Sequence, residues 1–138
     1  MISSLIVYTD GGARGNPGPA AIGIVICTDD DRILYERGER IGRATNNEAE
    51  YRAVIRGLEL AAGYAPREVL CVADSELIVR QLTGRYRVRN PRMEELFLAV
   101  KKNERSIEKV RYEQRPRLTG HLRRADELVN EALRGTRS

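Results

Sequence analysis

The first forty residues alternate between apolar runs and turn-forming sequence, and this pattern predicts three strands. The apolar or alternating runs cover residues 5–9, 20–27 and 32–41. Short turns rich in Gly, Pro and Asp separate them, so the strands are expected to form an antiparallel meander. The first run ends at Asp10-Gly11-Gly12, where we expect the strand to stop at a turn.

The hydrophobic pattern becomes helical after Thr45. Apolar residues recur on one helical face over 46–62, and Thr45 with Glu48 has the sequence pattern of a capping box. Further elements are predicted as helices at 75–82, 91–103 and 122–133, and as strands at 69–73 and 107–113. The order βββαβααβα predicts an α/β fold. Its five-stranded mixed sheet would have three antiparallel and then two parallel strands, with helices on both faces.

Composition narrows the class of protein. The chain has 138 residues, 41% of them hydrophobic, so residues 1–138 are expected to form a single domain. No apolar run approaches the ~20 residues that a membrane span needs. The first residues also lack the pattern of a signal peptide. We therefore expect a cytoplasmic location, without membrane association, and nothing indicates an obligate protein partner.

The cysteines and the charge add further limits. Cys27 and Cys71 each lie within an apolar run, which is typical of reduced, buried cysteines. Two isolated cysteines and the single histidine, His121, do not form a zinc-binding sequence pattern. The net charge of +4 favours an anionic partner such as nucleic acid, although a solvated basic surface explains the same charge.

Two aspartates follow apolar strands. Asp10 and Asp74 each come directly after such a run. Acids at the carboxyl ends of central strands commonly lie at the crevice where α/β proteins carry out their chemistry. For Asp74 the alternative is an N-cap of the helix predicted at 75–82.

Helical periodicity selects two further acids. In the helix at 46–62, Glu50 heads the apolar stripe, whereas Glu48 lies on the outer side and is explained by the capping box. In the last helix, Asp126 adjoins the apolar stripe, whereas Glu127 lies on the polar face. Periodicity therefore selects Glu50, and it places Asp126 at the edge of the buried face, where the family resemblance given below supplies the main reason to choose it.

Four carboxylates in one place require protons or a cation, because like charges repel and burial disfavours them. Oxygen ligands without a Cys or His cluster suit Mg²⁺ or Mn²⁺ rather than zinc. Two such ions about 4 Å apart hold the attacking water and the leaving oxygen for in-line attack on a phosphodiester. The acids alone thus lead to the hypothesis of a metal-dependent phosphodiester hydrolase.

Four motifs of the chain resemble those of type 1 ribonuclease H. They are YTDGGARGNPGPA at 8–20, TNNEAEY at 45–51, ADS at 73–75 and ADEL at 125–128. The first two are highly specific, and the four follow one another in the order of the family over almost the whole chain. The resemblance implies a ribonuclease H-like fold. It also implies hydrolysis of the RNA strand of RNA–DNA hybrids, leaving 5′-phosphate and 3′-hydroxyl ends.

The resemblance further implies how metal is held. Asp10 would bridge two Mg²⁺ or Mn²⁺ ions, Glu50 and Asp74 would bind one of them, and Asp126 would help to hold the other. In the family a histidine or arginine in the loop before the last acid assists metal exchange or product release. We assign that catalytic role to His121, for which an incidental loop residue is the alternative.

Contacts with the hybrid are also implied by the resemblance. The matching positions are Gly11, Gly12, Asn16, Thr45, Asn46 and Asn47. Loop formation and helix capping are the alternative explanations for these residues. Short polar side chains and exposed backbone suit this task, because RNA is distinguished by its 2′-hydroxyl groups across a shallow minor groove.

The chain departs from some members of the family in one segment. Between Asp74 and Asn90 there is no room for the extra helix and basic loop of some members, so the chain resembles the compact form without the basic protrusion.

One alternative to a hybrid-cutting ribonuclease is a nuclease of the same fold with another substrate, which the motifs at 8–20 and 45–51 disfavour. The other is a non-catalytic hybrid-binding module. The complete set of acids disfavours it, because clustered negative charge repels phosphates.

Overall fold

The computed structural model describes residues 2–135, and its elements follow the predicted order. The elements are β1 (Ser4–Ala13), β2 (Gly18–Thr28), β3 (Ile33–Ala44), α1 (Asn46–Ala62), β4 (Glu68–Ala73), α2 (Glu76–Leu82), α3 (Pro91–Glu104), β5 (Lys109–Gln114) and α4 (Gly120–Ala132). The strands form one sheet in the order β3-β2-β1-β4-β5. The first three pair antiparallel, whereas β4 lies parallel to β1 and β5 parallel to β4. The predicted five-stranded mixed sheet is confirmed.

The two faces of the sheet are covered by different helices. Alternate residues of β1 point to opposite faces, so that Val7 packs in the core beneath α1 and Tyr8 in the core beneath α4. Helix α3 packs on α1 and extends the first of these two cores. The sheet is therefore buried on both sides, as expected for helices on both faces.

Helix α1 begins where the sequence predicts. The Thr45 hydroxyl accepts a hydrogen bond from the backbone N–H of Glu48 at 3.1 Å, and the Glu48 carboxylate accepts one from the backbone N–H of Thr45 at 2.8 Å. This reciprocal pair confirms the predicted capping box. It fixes the start of the helix, and with it the direction in which Glu50 projects.

Strand β1 differs from its prediction. It does not stop at Asp10 but runs on to Ala13, so that Asp10 pairs with Gly23 of β2. The predicted turn at Asp10-Gly11-Gly12 is wrong, because the strand continues and Gly11 permits a close approach between elements. A Cβ atom on Gly11 would lie only 2.3 Å from the carbonyl oxygen of Ala49 in α1. The strand passes directly beneath the start of that helix.

Helix α4 also lies very close to the sheet. A Cβ atom on Gly23 of β2 would lie 2.1 Å from the carbonyl oxygen of Ala125, and one on Gly38 of β3 would lie 2.8 Å from that of Leu128. Real Cβ atoms do not approach carbonyl oxygens so closely. The absence of side chains at these two strand positions therefore sets the distance of α4 from the sheet.

Smaller predictions concern the two cysteines, the connection between α2 and α3, and the start of β5. Cys27 and Cys71 are both buried and free, as predicted. Residues 83–90, which join α2 to α3, contain no helix. Strand β5 begins at Lys109, two residues later than predicted. Among the helices of residues 2–135, none has the length and apolar character needed to cross a membrane.

Candidate active site

Four carboxylates from four different elements line one cleft of about 160 Å³. Asp10 lies within β1, Glu50 near the start of α1, Asp74 directly after β4, and Asp126 in the middle of α4. The fold thus brings together the four acids that the sequence selected. For Asp74 the alternative of a helix cap is not needed, because Ser75 is the N-cap of α2.

The position of Asp10 follows from strand alternation. The Thr9 side chain faces α1, where its methyl group would lie 3.1 Å from a Cβ atom on Gly57. Asp10 is the next residue of the strand, so its side chain projects from the opposite face, towards α4. Only 6% of its surface is exposed. A carboxylate in the middle of a paired central strand has little freedom to move away from its neighbours.

Burial and mutual repulsion shift the proton affinities of these acids. Burial, reinforced by the carboxylates of Asp74 and Asp126, raises the pKa of Asp10 from 3.8 to about 8. Burial and the charge of Asp74 raise the pKa of Glu50 from 4.5 to about 7. Burial likewise raises the pKa of Asp74. The cleft therefore holds more negative charge than its own residues neutralise.

The donor set of the cleft fits hard divalent cations. Its acidic ligands offer only oxygen, the donor that Mg²⁺ and Mn²⁺ prefer, and neither cysteine lines it. Burial and the neighbouring carboxylates both disfavour the charged forms of Asp10 and Glu50, and Arg117 offsets this only in part. A divalent cation would supply the remaining positive charge, so the residues present fit such a group.

Arg117 lines the cleft, and the sequence did not single it out. Its guanidinium lies 4.0 Å from Oδ2 of Asp74 and 3.8 Å from Oδ1 of Asp126. Its positive charge partly offsets the rise in the pKa values of Asp10 and Glu50. It stands in the loop between β5 and α4, where the resemblance implies a histidine or an arginine. The signal was present in the sequence, but the same loop also contains Arg115, and His121 follows in the first turn of α4.

Two polar residues at the edge of the cleft were also missed. Arg14 lies just beyond β1, and its guanidinium donates a hydrogen bond to the side-chain oxygen of Asn130 in α4 at 3.4 Å. Both residues line the cleft. The side-chain amide of Asn130 also donates to Oδ2 of Asp126 at 3.4 Å. The helical spacing of four residues between these two side chains is the signal that could have found Asn130.

The choice between the two glutamates of α1 agrees with the geometry. Glu50 lines the cleft, and it accepts a hydrogen bond from the side-chain amide of Asn46 at 3.4 Å. Glu48 caps the helix and forms an ion pair with Arg92 of α3 at 2.8 Å. These contacts turn the Glu48 carboxylate towards α3, and it is not among the lining residues that the structure describes.

The predicted substrate residues divide into two groups. Gly11, Gly12 and Asn46 line the cleft beside the acids. Asn16 lies next to them, because its side-chain oxygen accepts a hydrogen bond from the backbone N–H of Asn46 at 2.9 Å. Within the described residues, Thr45 and Asn47 are not part of the cleft lining: Thr45 caps α1 and Asn47 is exposed in its first turn.

The structure does not bring His121 into the cleft. Its Nε2 atom donates a hydrogen bond to the carbonyl oxygen of Asp31 at 2.9 Å, and its ring packs edge-on against that of Tyr8. Among residues 2–135, the basic side chain that the loop before α4 presents to the acids is that of Arg117. The assignment of a catalytic role to His121 therefore gains no support from its position.

Comparison with known proteins identifies the family. A family model described as "Reverse transcriptase-like" matches residues 8–132. The crystal structure of RNase H1 from Halobacterium salinarum superposes with a TM-score of 0.90 at 39% identity, covering 95% of this chain and 98% of that one. The chain belongs to the type 1 ribonuclease H family.

Other type 1 ribonuclease H proteins agree with this placement. LC11-RNase H1, whose structure was solved in complex with an RNA/DNA hybrid, is 44% identical with a TM-score of 0.87, and 93% of this chain and 95% of that one are covered. The ribonuclease HI of Halobacterium salinarum is 41% identical over 126 residues, which are 91% of this chain and 62% of that protein. A bifunctional protein of Mycobacterium tuberculosis is 39% identical over 130 residues, which are 94% of this chain and 35% of that protein.

Two facts about length accompany the ribonuclease H assignment. The chain spans about one third of the length of the mycobacterial relatives that it matches. The connection at 83–90 has no helix and is only a few residues long. The chain is thus the compact form of a type 1 ribonuclease H, without the basic protrusion.

Proposed function

We propose that this protein is an endonuclease that hydrolyses the RNA strand of RNA–DNA hybrids. The observation that carries the proposal is the convergence of Asp10, Glu50, Asp74 and Asp126 on one cleft beside the backbone of Gly11 and Gly12. Family membership supports the reaction, and the hybrid-bound structure of LC11-RNase H1 supports the substrate. A cytoplasmic location and action without an obligate protein partner belong to the same proposal.

The four carboxylates would together hold two divalent cations. Mg²⁺ or Mn²⁺ ions bound there would supply an activated water and stabilise the charge that develops at the phosphate. Asp10 and Glu50 must lose their protons to bind, since their pKa values lie near 8 and 7 without a cation. The four elements fix the carboxylates in place, so that little reorganisation accompanies the reaction.

Residues around the acids would position the hybrid. Arg117 and Arg14 offer positive charge at the cleft, and this charge suits the phosphates of the backbone. Asn46 and the backbone at Gly12 lie where a minor groove can reach them, and such groups can read 2′-hydroxyls. Attack of water on the phosphorus, opposite O3′, would break the P–O3′ bond and leave a 5′-phosphate and a 3′-hydroxyl.

A cleavage assay with three duplexes tests this function. The protein is incubated with end-labelled RNA–DNA hybrid, duplex DNA and duplex RNA, each with Mg²⁺, Mn²⁺ or EDTA. We expect metal-dependent cutting of only the RNA strand of the hybrid. Cleavage of duplex DNA would instead support a related nuclease, and tight binding of the hybrid without cutting would support a binding module.

The product ends and the metal dependence test the finer parts of the proposal. Ligation to an RNA with a 3′-hydroxyl should require the new 5′-phosphate and be prevented by phosphatase treatment, and a polymerase should extend the new 3′-hydroxyl. The rate should rise more steeply than first order with Mg²⁺ concentration if two ions act together. Asp10→Asn is expected to remove cutting while the variant remains folded, and Asp29→Asn in the exposed β2–β3 turn is the matched control.

A further inference from the structure

A second group of metal-binding side chains lies outside the cleft. It consists of Cys27, Asp31 and His121, each of which offers one ligand atom within 4.8 Å of the other two. None of the three lines the cleft of the four acids. They come from three places in the chain: the end of β2, the β2–β3 turn and the first turn of α4.

The burial of the group suits an ion that enters from one side. Cys27 is fully buried beneath α4, whereas about a quarter of the His121 side chain and half of the Asp31 side chain are exposed. A tetrahedral zinc ion with bonds of about 2.0–2.3 Å separates its ligand atoms by roughly 3.3–3.8 Å. The present spacing reaches that value with movements below about 1 Å, which the exposed Asp31 carboxylate has room to make.

Neighbouring contacts already hold two of the three side chains in place. The Tyr8 hydroxyl donates a hydrogen bond to Oδ1 of Asp31, and Nε2 of His121 lies 3.5 Å from Oδ2 of the same carboxylate. The Tyr8 and His121 rings pack edge to face with centroids 5.3 Å apart. Hydrogen bonds and ring contacts of this kind orient ligands in known metal sites.

The backbone at Asp31 adds an independent observation. Its φ angle is 69°, in the left-handed region that residues other than glycine seldom adopt. Aspartate and asparagine tolerate this conformation better than most residues. The Asp31 carboxylate of this turn contacts Tyr8 and His121 and remains half exposed to solvent.

We propose that Cys27, Asp31 and His121 bind a zinc ion, separately from the cations of the cleft. Sulfur, nitrogen and a single carboxylate suit zinc, whereas Mg²⁺ and Mn²⁺ prefer oxygen ligands. A thiolate and a carboxylate together balance the charge of Zn²⁺. On binding, the Cys27 thiol gives its proton to solvent, and water takes the fourth position on the exposed side. The neutral His121 imidazole gives up the hydrogen bond to the Asp31 carbonyl oxygen and adopts the tautomer whose unprotonated nitrogen faces the ion.

The sequence does not reveal this site because its ligands are far apart in the chain. Cys27 and Asp31 lie about ninety residues before His121. Only the packing of α4 against the end of β2 brings the thiol and the imidazole together. An ion at this place would tie the β2–β3 turn to the start of α4.

Cobalt binding gives a direct test that does not depend on cleavage. The full chain is freed of metal with EDTA, dialysed and titrated with Co²⁺, a probe that shows thiolate ligation by charge-transfer absorption in the near ultraviolet. Carboxylates cannot give this band, so Co²⁺ bound in the cleft does not contribute to it. We expect the band to rise to saturation as Co²⁺ is added and to disappear when Zn²⁺ displaces the Co²⁺.

Three variants and a matched control locate the ligands. Cys27→Ala should lose the band, and Asp31→Asn and His121→Gln should weaken Co²⁺ binding by about tenfold or more. Asp31→Asn keeps a residue that tolerates the left-handed backbone, so it is expected to fold normally. Cys71→Ala removes the other buried cysteine and should leave the band unchanged.

Thermal unfolding supplies a second readout. Zinc at about 100 times its dissociation constant should raise the melting temperature of the parent protein and of Cys71→Ala by roughly 5–10 °C. Asp31→Asn should show a clearly smaller rise at the same concentration, because weaker binding stabilises the folded state less. The proposal is overturned if the folded parent protein gives no thiolate band, or if Asp31→Asn and His121→Gln both bind Co²⁺ as tightly as the parent.

Discussion

The guanidinium of Arg117 lies 3.8 Å from Oδ1 of Asp126, joining the loop before α4 to the helix that follows it. The same guanidinium approaches Asp74 at 4.0 Å. One arginine thus faces the acids that are proposed to hold cations. A fixed positive charge in such a place moderates the repulsion between carboxylates, and it also opposes the binding of further positive charge.

Replacing Arg117 by Ala is therefore expected to tighten divalent-cation binding in the absence of nucleic acid. The side chain is 58% exposed, so its repulsion of a cation near Asp126 is about 1 kcal/mol, which corresponds to roughly fivefold in affinity. Calorimetric titration with Mn²⁺ measures the change. Arg117→Lys should keep most of the parent behaviour, and Arg123→Ala on the exposed face of α4 is the matched control. Weaker Mn²⁺ binding in Arg117→Ala would contradict the electrostatic argument.

Asp10 should destabilise the metal-free protein at high pH. Its pKa is about 8 in the fold and near 3.8 in the unfolded chain, so the folded state binds more protons between these values. Stability is therefore lost as the pH rises from about 4 to 8. Asp10→Asn should be more stable than the parent by a few kcal/mol at pH 9, on the order of 5 at most, and nearly equal to it at pH 4.

Urea unfolding in EDTA at both pH values measures this difference. Saturating Mg²⁺ should remove most of it, because the cation neutralises the repulsion in the parent protein. An equal effect of Asp10→Asn at pH 4 and pH 9 would show that repulsion at Asp10 is not its cause.

Cation binding should release protons near neutral pH. Asp10 and Glu50 are partly protonated at pH 6.5, since their pKa values are about 8 and 7, and both must ionise to bind. Titrations with Mn²⁺ in two buffers of different ionisation enthalpy should show about one to two protons released at pH 6.5 and close to none at pH 9. Cleavage at low metal concentration should rise over the same range. Absence of proton release at pH 6.5 would mean that both acids are already ionised.

The two glutamates of α1 should behave differently when neutralised. Glu50→Gln removes a proposed metal ligand, and we expect cleavage to fall by about 100-fold or more. Glu48→Gln keeps the capping box, because glutamine can also accept at that position, and loses only the ion pair with Arg92. It should cost less than about 1 kcal/mol of stability and leave the rate nearly unchanged. Comparable loss of activity in the two variants would refute the assignment of Glu50.

The two glycines of β1 form a second matched pair. A methyl group on Gly11 would lie 2.3 Å from the Ala49 carbonyl oxygen, so Gly11→Ala should destabilise the fold by about 1–3 kcal/mol or more. On Gly12 the nearest atoms are 3.5 and 3.7 Å away, an ordinary contact distance. Gly12→Ala should fold normally and raise the KM for the hybrid, because its methyl group enters the cleft. Urea unfolding and initial rates separate the two effects, and equal stability of both variants would contradict the packing argument.

Local patterns predicted local features of the fold well. The capping box at Thr45 and Glu48 depends on residues three apart, and the helix it begins has the predicted bounds. The end of β1 could not be read in this way. Glycines at 11 and 12 are typical of a turn, and only the close packing of α1 over the strand explains why the strand continues.

In the candidate site, too, local patterns predicted some residues, whereas others depended on the packing of the fold. Strand ends and helical stripes selected acids that the fold brings together, although Asp126 depended mainly on the resemblance to the family. Periodicity gave no reason to choose Arg117 over His121 in the segment before Asp126. Which of the two side chains reaches the acids depends on the direction in which each projects from the backbone. The backbone conformation of this segment determines that direction.

Because Gly23 and Gly38 have no side chains, mutations at these two positions have a consequence that their distance from the cleft does not suggest. Neither glycine lines the cleft, but the backbone of α4 rests against both, and Asp126 follows directly after Ala125. A larger residue at either position would lift the helix and carry one acid away from the other three. Sequence variation at these two sheet positions should therefore produce loss of enzymatic function in proteins whose entire set of acids is intact.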